Sequence, residues 1–182
     1  MEVALGCVYI PELCFYTRIL VSFYLALNDS FRAFSFGGNG MNDAEYMRLA
    51  LALAEQGRGW TAPNPMVGAV IVKDGAVIGQ GWHERYGEPH AERNALASCT
   101  ADPAGATMYV TLEPCAMCAG AVLNSRISRV FYGAADPKEG AVCGMLRLFD
   151  LPYGNRPDYE GGVLVRECAE LLESFFAQRR KK

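Results

Sequence analysis

The chain has 182 residues, of which 51% are hydrophobic and 20% charged, a composition that suits one globular domain around a single core. This apolar fraction excludes an intrinsically disordered chain, and the modest glycine and proline content excludes a collagen-like or low-complexity one. The formal net charge of −3 excludes the overall positive field of a general nucleic-acid binder, so contact with nucleic acid would require a local basic patch.

Seven cysteines, an odd number with uneven spacing, argue against a secreted disulfide framework. Without a well-formed export signal, clustered cysteines favour the reducing cytosol and either metal binding or catalysis. We therefore predict a cytoplasmic protein. The two histidines, His83 and His90, limit the candidates for imidazole chemistry.

Residues 1–40 differ in character from the rest of the chain. Their apolar stretch, residues 19–27, is shorter than the about 20 residues of a membrane helix, so we expect no membrane association. Glu2 and Glu12, together with the lack of a clear cleavage site, argue against a signal peptide. We predict that residues 1–40 are a non-catalytic extension, which a misassigned start codon would explain, and that residues 41–182 form one domain.

This domain is predicted to begin with a helix and a β-hairpin. Asn42 and Glu45 form an N-cap and N3 pair, and apolar residues recur at helical spacing until Gly57. Two β-branched runs, residues 67–72 and 76–82, flank an Asp-Gly turn and predict the hairpin.

Helices and strands then alternate along the chain. We predict a helix from His90 through Leu96, a strand at 107–112, a helix from Pro114 through Leu123 and a strand at 129–132. A loop over 136–162, a strand at 163–165 and a helix at 167–178 are expected to follow. This order predicts a three-layer α/β/α sandwich with a central mixed sheet, a fold that places its chemistry where strand ends meet helix starts.

Two short segments carry residues suited to metal chemistry, with His90 and Glu92 in one and Cys115 and Cys118 in the other. One imidazole and two thiolates supply three zinc ligands and leave a fourth tetrahedral position for water, as in catalytic sites. Two thiols three residues apart at a helix start can face one metal, and the helix dipole favours their thiolate form. The remaining cysteines of the domain are predicted to be packing residues: Cys99, Cys143 and Cys168.

Glu92 is the predicted catalytic residue. It lies two residues after His90, where it can face the water without ligating the metal. Zinc lowers the pKa of that water to about 7, so a nearby carboxylate can take its proton and return protons to a leaving group. Alone, the Cys-x-x-Cys pair also fits a redox motif or half of a zinc ribbon, and only the combination is specific.

The combined pattern, His-x-Glu followed by Pro-Cys-x-x-Cys, resembles the cytidine deaminase superfamily from about Met41 onward. Residues 111–126, 129–141 and 162–180 are similar to bacterial tRNA adenosine deaminase. That resemblance implies conversion of a wobble adenosine to inosine, with a tRNA anticodon loop as partner, by a homodimer holding one zinc ion per subunit.

The earlier stretches, residues 61–70 and 81–92, instead resemble the pyrimidine deaminase of riboflavin biosynthesis. They contain the predicted substrate contacts Asn64 and His83, to which we add Ala91. An amide offers both a donor and an acceptor to a heterocycle edge, although Asn64 between prolines also fits a turn. The tRNA enzymes typically have asparagine where His83 stands, whereas the riboflavin enzymes have a longer insertion between the two cysteines that is absent here.

A tRNA partner would need the local basic patch and stacking groups. Candidate phosphate contacts are Arg126, Arg129, Arg156 and the tail 179–182, although the tail also fits a solvated helix end. Candidate stacking residues, which also fit a local hydrophobic anchor, are Phe149, Tyr153 and Tyr159. Where the tRNA enzymes carry Asn-His, this loop has Asn155-Arg156.

The leading hypothesis is therefore a zinc-dependent hydrolytic deaminase of a wobble adenosine in tRNA. The alternative is a small-molecule deaminase that acts on the riboflavin-pathway aminopyrimidine or on a free base such as guanine or cytosine. A non-catalytic zinc-binding module is a third hypothesis. Glu92 argues against it, because a closed structural site has no use for an unligated carboxylate.

Overall fold

The computed structural model describes residues 41–179, with side chains as far as Ala177. The helices are α1 (Asp43–Ala54), α2 (Ala91–Ala97), α3 (Ala116–Asn124) and α4 (Val165–Arg179). The strands are β1 (Gly68–Lys73), β2 (Ala76–Trp82), β3 (Thr107–Leu112), β4 (Arg129–Ala134) and β5 (Asp158–Gly161). No helix in this part of the chain is both long and apolar enough to cross a lipid bilayer. The predictions for residues 1–40 and for the side chains of the basic tail lie outside the described residues.

The sheet has five strands in the order β2-β1-β3-β4-β5. β1 runs antiparallel to both β2 and β3, while β3, β4 and β5 are parallel to one another. In the predicted hairpin, Asp74 and Gly75 have φ values of 52° and 78°, the positive values that a tight two-residue turn requires. The sheet is therefore mixed, as predicted.

Alternate residues of the strands build two cores, one on each face of the sheet. On one face, residues such as Ile71 and Met108 pack with α2 and α3. On the other face, Val70, Tyr109 and Phe131 pack with α1 and with the first turns of α4. Because side chains alternate across a strand, this arrangement confirms the three-layer α/β/α sandwich.

The first helix begins as predicted. The Asn42 side chain accepts a hydrogen bond from the backbone N–H of Glu45 at 3.0 Å, and the Glu45 carboxylate accepts one from the Asn42 N–H at 2.7 Å. This reciprocal pair satisfies two N–H groups that the helix itself leaves without partners.

The last strand differs from the prediction. β5 pairs in parallel with β4 at residues 158–161, inside the predicted loop, and the strand predicted at 163–165 is wrong. Gly162 and Leu164 have φ values of 95° and 51°, which turn the backbone out of the sheet and directly into α4. An extended strand cannot continue through two such residues.

Candidate active site

One edge of the sheet brings together the segments that carry the predicted site. Trp82 at the end of β2 pairs with Gly68 at the start of β1, and the β1 residue Ala69 pairs with Val110 near the end of β3. β4 runs parallel to β3, so it ends at this edge too. A cavity of about 450 Å³ opens here, with lining residues that include Asn64, His83, His90, Glu92, Leu112, Glu113, Cys115, Asp136, Lys138, Glu139, Leu172 and Phe176.

The three predicted zinc ligands converge at the cavity. His90 Nδ1 lies 3.7 Å from the Sγ atom of Cys115 and 3.5 Å from that of Cys118. The ligand atoms of all three residues lie within 4.8 Å of one another. His90 and Cys115 are the N-cap residues of α2 and α3, and neither side chain caps its own helix, so both remain available to a metal.

The pKa values of these side chains are shifted in different directions, and that of Cys115 suits a cation. Hydrogen bonds from the Cys118 thiol and from His90 lower the pKa of Cys115 to about 4, although burial opposes that shift. The contact with Cys115 raises the pKa of His90, and it raises that of Cys118 together with burial. One nitrogen and two sulfur donors, one of them already a thiolate, form a donor set that fits zinc.

Glu92 lies in the first turn of α2 and is 3% exposed, while it also lines the cavity. Burial raises the pKa of its carboxyl group, and the Cys118 thiol is its hydrogen-bonding neighbour. Glu92 does not belong to the cluster of three ligand atoms. It is therefore a buried carboxyl group beside the predicted zinc ligands that can gain and lose a proton.

Asn64 and His83 meet on the cavity wall. His83 Nδ1 lies 3.1 Å from the carbonyl oxygen of Pro89, which can only accept, so Nδ1 carries the proton. The other ring nitrogen then accepts from the Asn64 amide at 3.4 Å. This bond orients the Asn64 amide. The carbonyl oxygen and the second N–H of that amide take no part in the bond to His83. The His83 ring also stands edge-on to His90, with ring centroids 5.5 Å apart.

Other predicted residues lie away from the cavity. Ala91 is fully buried in the core beneath α2, and its contact with substrate stays a prediction. Cys99 and Cys168 pack as expected, but Cys143 is exposed, so the packing role predicted for it is wrong. The backbone N–H of Cys143 binds Glu113 at 2.7 Å, and this contact fixes the backbone of the loop while the residue remains at the surface.

The residues predicted to contact tRNA differ in exposure and in the partners that they already have. Arg126 and Arg156 are exposed, whereas Arg129 forms an ion pair with Asp158 at 3.6 Å. Phe149 is buried against Tyr159, with ring centroids 5.9 Å apart, while Tyr153 is 50% exposed. The first two aromatic side chains therefore form a local anchor, and Tyr153 remains available for stacking.

Sequence reasoning missed several lining residues, which are Leu112, Glu113, Lys138, Leu172 and Phe176. Leu172 and Phe176 have the i, i+4 spacing of one helix face, a signal that sequence analysis can detect. Glu113 is a charged residue between an apolar strand and a proline, which marks it as unusual without revealing its partners.

Comparison with protein families matches residues 41–134 to the cytidine and deoxycytidylate deaminase zinc-binding region. The diaminohydroxyphosphoribosylamino-pyrimidine deaminase of Buchnera aphidicola is 47% identical over 146 residues, covering 77% of this chain and 97% of that protein. The tRNA-specific adenosine deaminase of Haemophilus influenzae is 38% identical over 151 residues, covering 77% and 86%.

Larger relatives are matched over part of their length. The riboflavin biosynthesis protein RibD of Actinobacillus pleuropneumoniae is 43% identical over 75% of this chain, and the match spans 37% of that protein. Among solved structures, Acinetobacter baumannii RibD has a TM-score of 0.65 with 38% identity, covering 73% of this chain and 38% of its own. A structure from a study of tRNA:A34 deaminases has a TM-score of 0.59 with 38% identity, covering 70% and 99%.

Proposed function

The chain belongs to the cytidine and deoxycytidylate deaminase family, and we propose that it hydrolyses an exocyclic amine of a nucleobase to a carbonyl and releases ammonia. The observation that carries this proposal is the buried Glu92 beside the converging side chains of His90, Cys115 and Cys118. A zinc ion bound by these three residues would supply a Lewis acid that makes water acidic enough to react near neutral pH.

Glu92 moves the protons of this reaction. Its carboxylate takes a proton from the attacking water and passes it to a ring nitrogen as the oxygen bonds to the ring carbon. It then moves the proton of the resulting hydroxyl group to the amine, so the C–N bond breaks, the carbonyl forms and ammonia leaves. A carboxyl group with an ordinary pKa would hold a proton poorly at neutral pH. Burial raises the pKa of Glu92, which brings it closer to the value that efficient proton transfer requires.

We propose that the substrate is the wobble adenosine of a tRNA. Lys138 is the one lysine or arginine among the described lining residues of the cavity, against four carboxylates, which are Glu92, Glu113, Asp136 and Glu139. A free phosphate inside such a cavity would meet mostly like charge. A base of a polynucleotide avoids this cost, because its phosphates stay outside while the unstacked base enters. The Haemophilus tRNA-specific adenosine deaminase, matched over most of its length, supports this substrate.

A second substrate is favoured by a different observation. Asn64 and His83, which come from the part of the chain that resembles the riboflavin enzymes, line the cavity as an ordered pair. The Buchnera pyrimidine deaminase also shares more identity with this chain than the Haemophilus enzyme does. The riboflavin-pathway aminopyrimidine is therefore the second candidate.

Ammonia release separates the two substrates. Zinc-loaded protein is incubated with an anticodon stem-loop carrying adenosine at the wobble position, the phosphorylated aminopyrimidine, its dephosphorylated form, guanine and cytosine. We expect turnover of the stem-loop, and none with a control stem-loop that already carries inosine. Turnover confined to the phosphorylated aminopyrimidine would overturn the tRNA proposal and support the second candidate. Turnover of none of them would contradict a nucleobase deaminase.

We further propose a cytoplasmic homodimer with one zinc ion per subunit, as the resemblance to tRNA adenosine deaminase implies. Sedimentation velocity combined with metal analysis measures both the subunit number and the zinc content. A monomeric active species, or a zinc content well below one per chain in fully active protein, would contradict this assembly.

A further inference from the structure

We propose that Glu113 is a positioning residue that holds residues 136–144 in place as one wall of the cavity. Glu113 follows β3 and is 3% exposed. One carboxylate oxygen, Oε1, accepts hydrogen bonds from the backbone N–H groups of Val142, Cys143 and Gly144 at 3.2, 2.7 and 2.7 Å. The other, Oε2, accepts from the N–H of Asp136 at 3.0 Å. A single side chain thus binds both ends of this segment.

Both oxygens of the carboxylate take part in these contacts. Three of the four N–H donors share Oε1, and the fourth binds Oε2. All four partners are backbone N–H donors, so Glu113 acts only as an acceptor in these contacts. The geometry therefore assigns this carboxylate to holding the backbone of the segment.

The segment is shaped to fit this carboxylate. A methyl group at Gly140 would overlap the carboxyl group of Glu113. One at Gly144 would lie 3.2 Å from its Oε1 atom and 2.5 Å from the carbonyl oxygen of Asp136. Glycine at these positions lets the backbone approach closely enough to donate.

The same segment touches both the substrate cavity and a metal ligand. Asp136, Lys138 and Glu139 line the cavity, and Lys138 is its one described lysine or arginine side chain. Gly140 pairs with Cys115 in an isolated β-bridge, and the N–H of Ala141 donates to the carbonyl oxygen of Pro114 at 2.9 Å. Anchoring by Glu113 therefore sets the distance between the metal-ligand helix and the wall that faces the substrate.

This role rests on the proposed deaminase activity and predicts an effect on substrate binding more than on proton transfer. In Glu113→Gln one carboxylate oxygen becomes an NH₂ group, which faces a backbone N–H instead of accepting from it. Loss of a charge-assisted hydrogen bond of this kind corresponds to about tenfold or more in an equilibrium constant. We expect KM to rise about tenfold, with kcat within about threefold and an unchanged pH profile.

Hydrogen exchange tests the anchor without any substrate. In zinc-loaded Glu113→Gln, the amide oxygen keeps the side with three donors and the NH₂ group faces the N–H of Asp136. Exchange at Asp136 should therefore accelerate about tenfold or more, while exchange in β1 and zinc content stay as in the wild type. The matched control is Glu160→Gln, which removes the same charge from an exposed residue of β5 and should change neither exchange at this amide nor KM.

Two results would overturn the proposal. Unchanged exchange at Asp136 would show that Glu113 does not anchor the segment. A fall in kcat at constant KM with an altered pH profile would make Glu113 a proton-transfer group instead. If wild-type protein deaminates none of the substrates tested, the proposed function fails, and the exchange experiment still decides whether Glu113 anchors the wall.

A second variant covers the case in which Glu113→Gln does not fold. Gly144→Ala retains the carboxylate but pushes the segment away from it, because the added methyl group meets Oε1 and the Asp136 carbonyl. It should raise KM and accelerate exchange at residues 142–144 in the same direction. A folded Gly144→Ala protein with wild-type KM and exchange would contradict the role of the segment.

Discussion

At the scale of single residues, two glutamates that line one cavity have pKa values shifted in opposite directions, because their surroundings differ. Glu92 lies beside the candidate zinc ligands, and burial raises its pKa. Glu113 is equally buried, but four backbone N–H groups lower its pKa. A carboxyl group with a raised pKa can carry a proton, whereas one with a lowered pKa remains a fixed anion.

Glu92→Gln tests the first of these roles. The amide is close in size to the carboxyl group but cannot take a proton from water, so turnover should fall by a factor on the order of 10² to 10⁴. Zinc content, measured by atomic emission, should remain at the wild-type level, because Glu92 is not among the three converging ligands. Glu167→Gln, which changes an exposed residue of α4, is the control and should be fully active. Loss of metal from the Glu92 variant would make Glu92 a ligand and the mechanism wrong.

Cys115 provides a pH-dependent test on zinc-free protein. With a pKa of about 4 in the folded protein, its thiolate persists as pH falls until about that value, whereas an ordinary thiol is protonated below about pH 8.5. At pH 6, iodoacetamide should therefore modify Cys115 much faster than Cys99 or Cys168, since burial raises the pKa of both. Mass spectrometry of the digested protein measures this. Zinc should protect Cys115, and equal rates at Cys115 and Cys168 would contradict the assignment.

The candidate zinc ligands and Glu92 could be proposed from sequence because each group lies within a short motif at a helix start. Glu113 could not be assigned a role in this way, since its hydrogen-bond partners lie 23 to 31 residues further along the chain. His83 and Asn64 were proposed as separate contacts. Their mutual hydrogen bond depends on the turn around Pro89, which fixes the His83 tautomer and which no local pattern encodes.

At the scale of secondary-structure elements, close packing of α2 on β2 positions His90 and Glu92. A methyl group at Gly81 in β2 would overlap the backbone N–H of Ala95 and lie 2.8 Å from the carbonyl oxygen of Ala91. Both atoms belong to the backbone of α2, so they cannot move away without moving the helix. The absence of a side chain at Gly81 is therefore a condition for the position of α2 and of the candidate site residues on it.

Gly81→Ala should displace α2 and lower the free energy of unfolding by about 1 to 3 kcal/mol, as overpacking does. It should also weaken zinc binding and reduce turnover, because His90 and Glu92 move with the helix. Urea denaturation and zinc titration measure the two effects. Gly120→Ala in α3 is the matched control, since a methyl group there meets nothing within 4 Å. It should be neutral or stabilise the protein by up to about 1 kcal/mol. Wild-type zinc affinity in Gly81→Ala would contradict this account.

Most elements could be predicted from periodicity and turn chemistry, and the exception has a physical cause. β5 has the sequence Asp-Tyr-Glu-Gly, which lacks the β-branched residues of β1, and it exists because the edge of β4 offers it hydrogen-bond partners. The Val-Leu-Val run at 163–165 has the composition of a strand, yet backbone turns at Gly162 and Leu164 direct it into α4. Tertiary pairing thus overrode local composition in β5, whereas backbone turns overrode it at residues 163–165.

At the scale of the whole molecule, the topology explains why residues distant in sequence share one cavity. The ends of β2, β3 and β4 and the start of β1 lie on the same edge of the sheet, so the segments that leave them converge there. Leu172 and Phe176, which belong to the C-terminal helix α4, also line this cavity. The prediction that chemistry lies at strand ends follows from fold class alone, while the contribution of α4 depends on its packing.

Residues 41–182 alone should form the active protein. The described residues, from Met41 onward, belong to one compact unit that contains the candidate site. In the Buchnera relative, the 146 matched residues make up 97% of the protein, so that protein consists almost entirely of the matched domain.

A protein starting at Met41 should match the full chain in unfolding midpoint, zinc content and kcat/KM on the substrate found by ammonia release. Because the extension is predicted to be non-catalytic, a shortened protein that folds and holds zinc but loses turnover would contradict this prediction. Recovery of peptides from residues 2–32 in the purified native enzyme would also exclude a misassigned start codon.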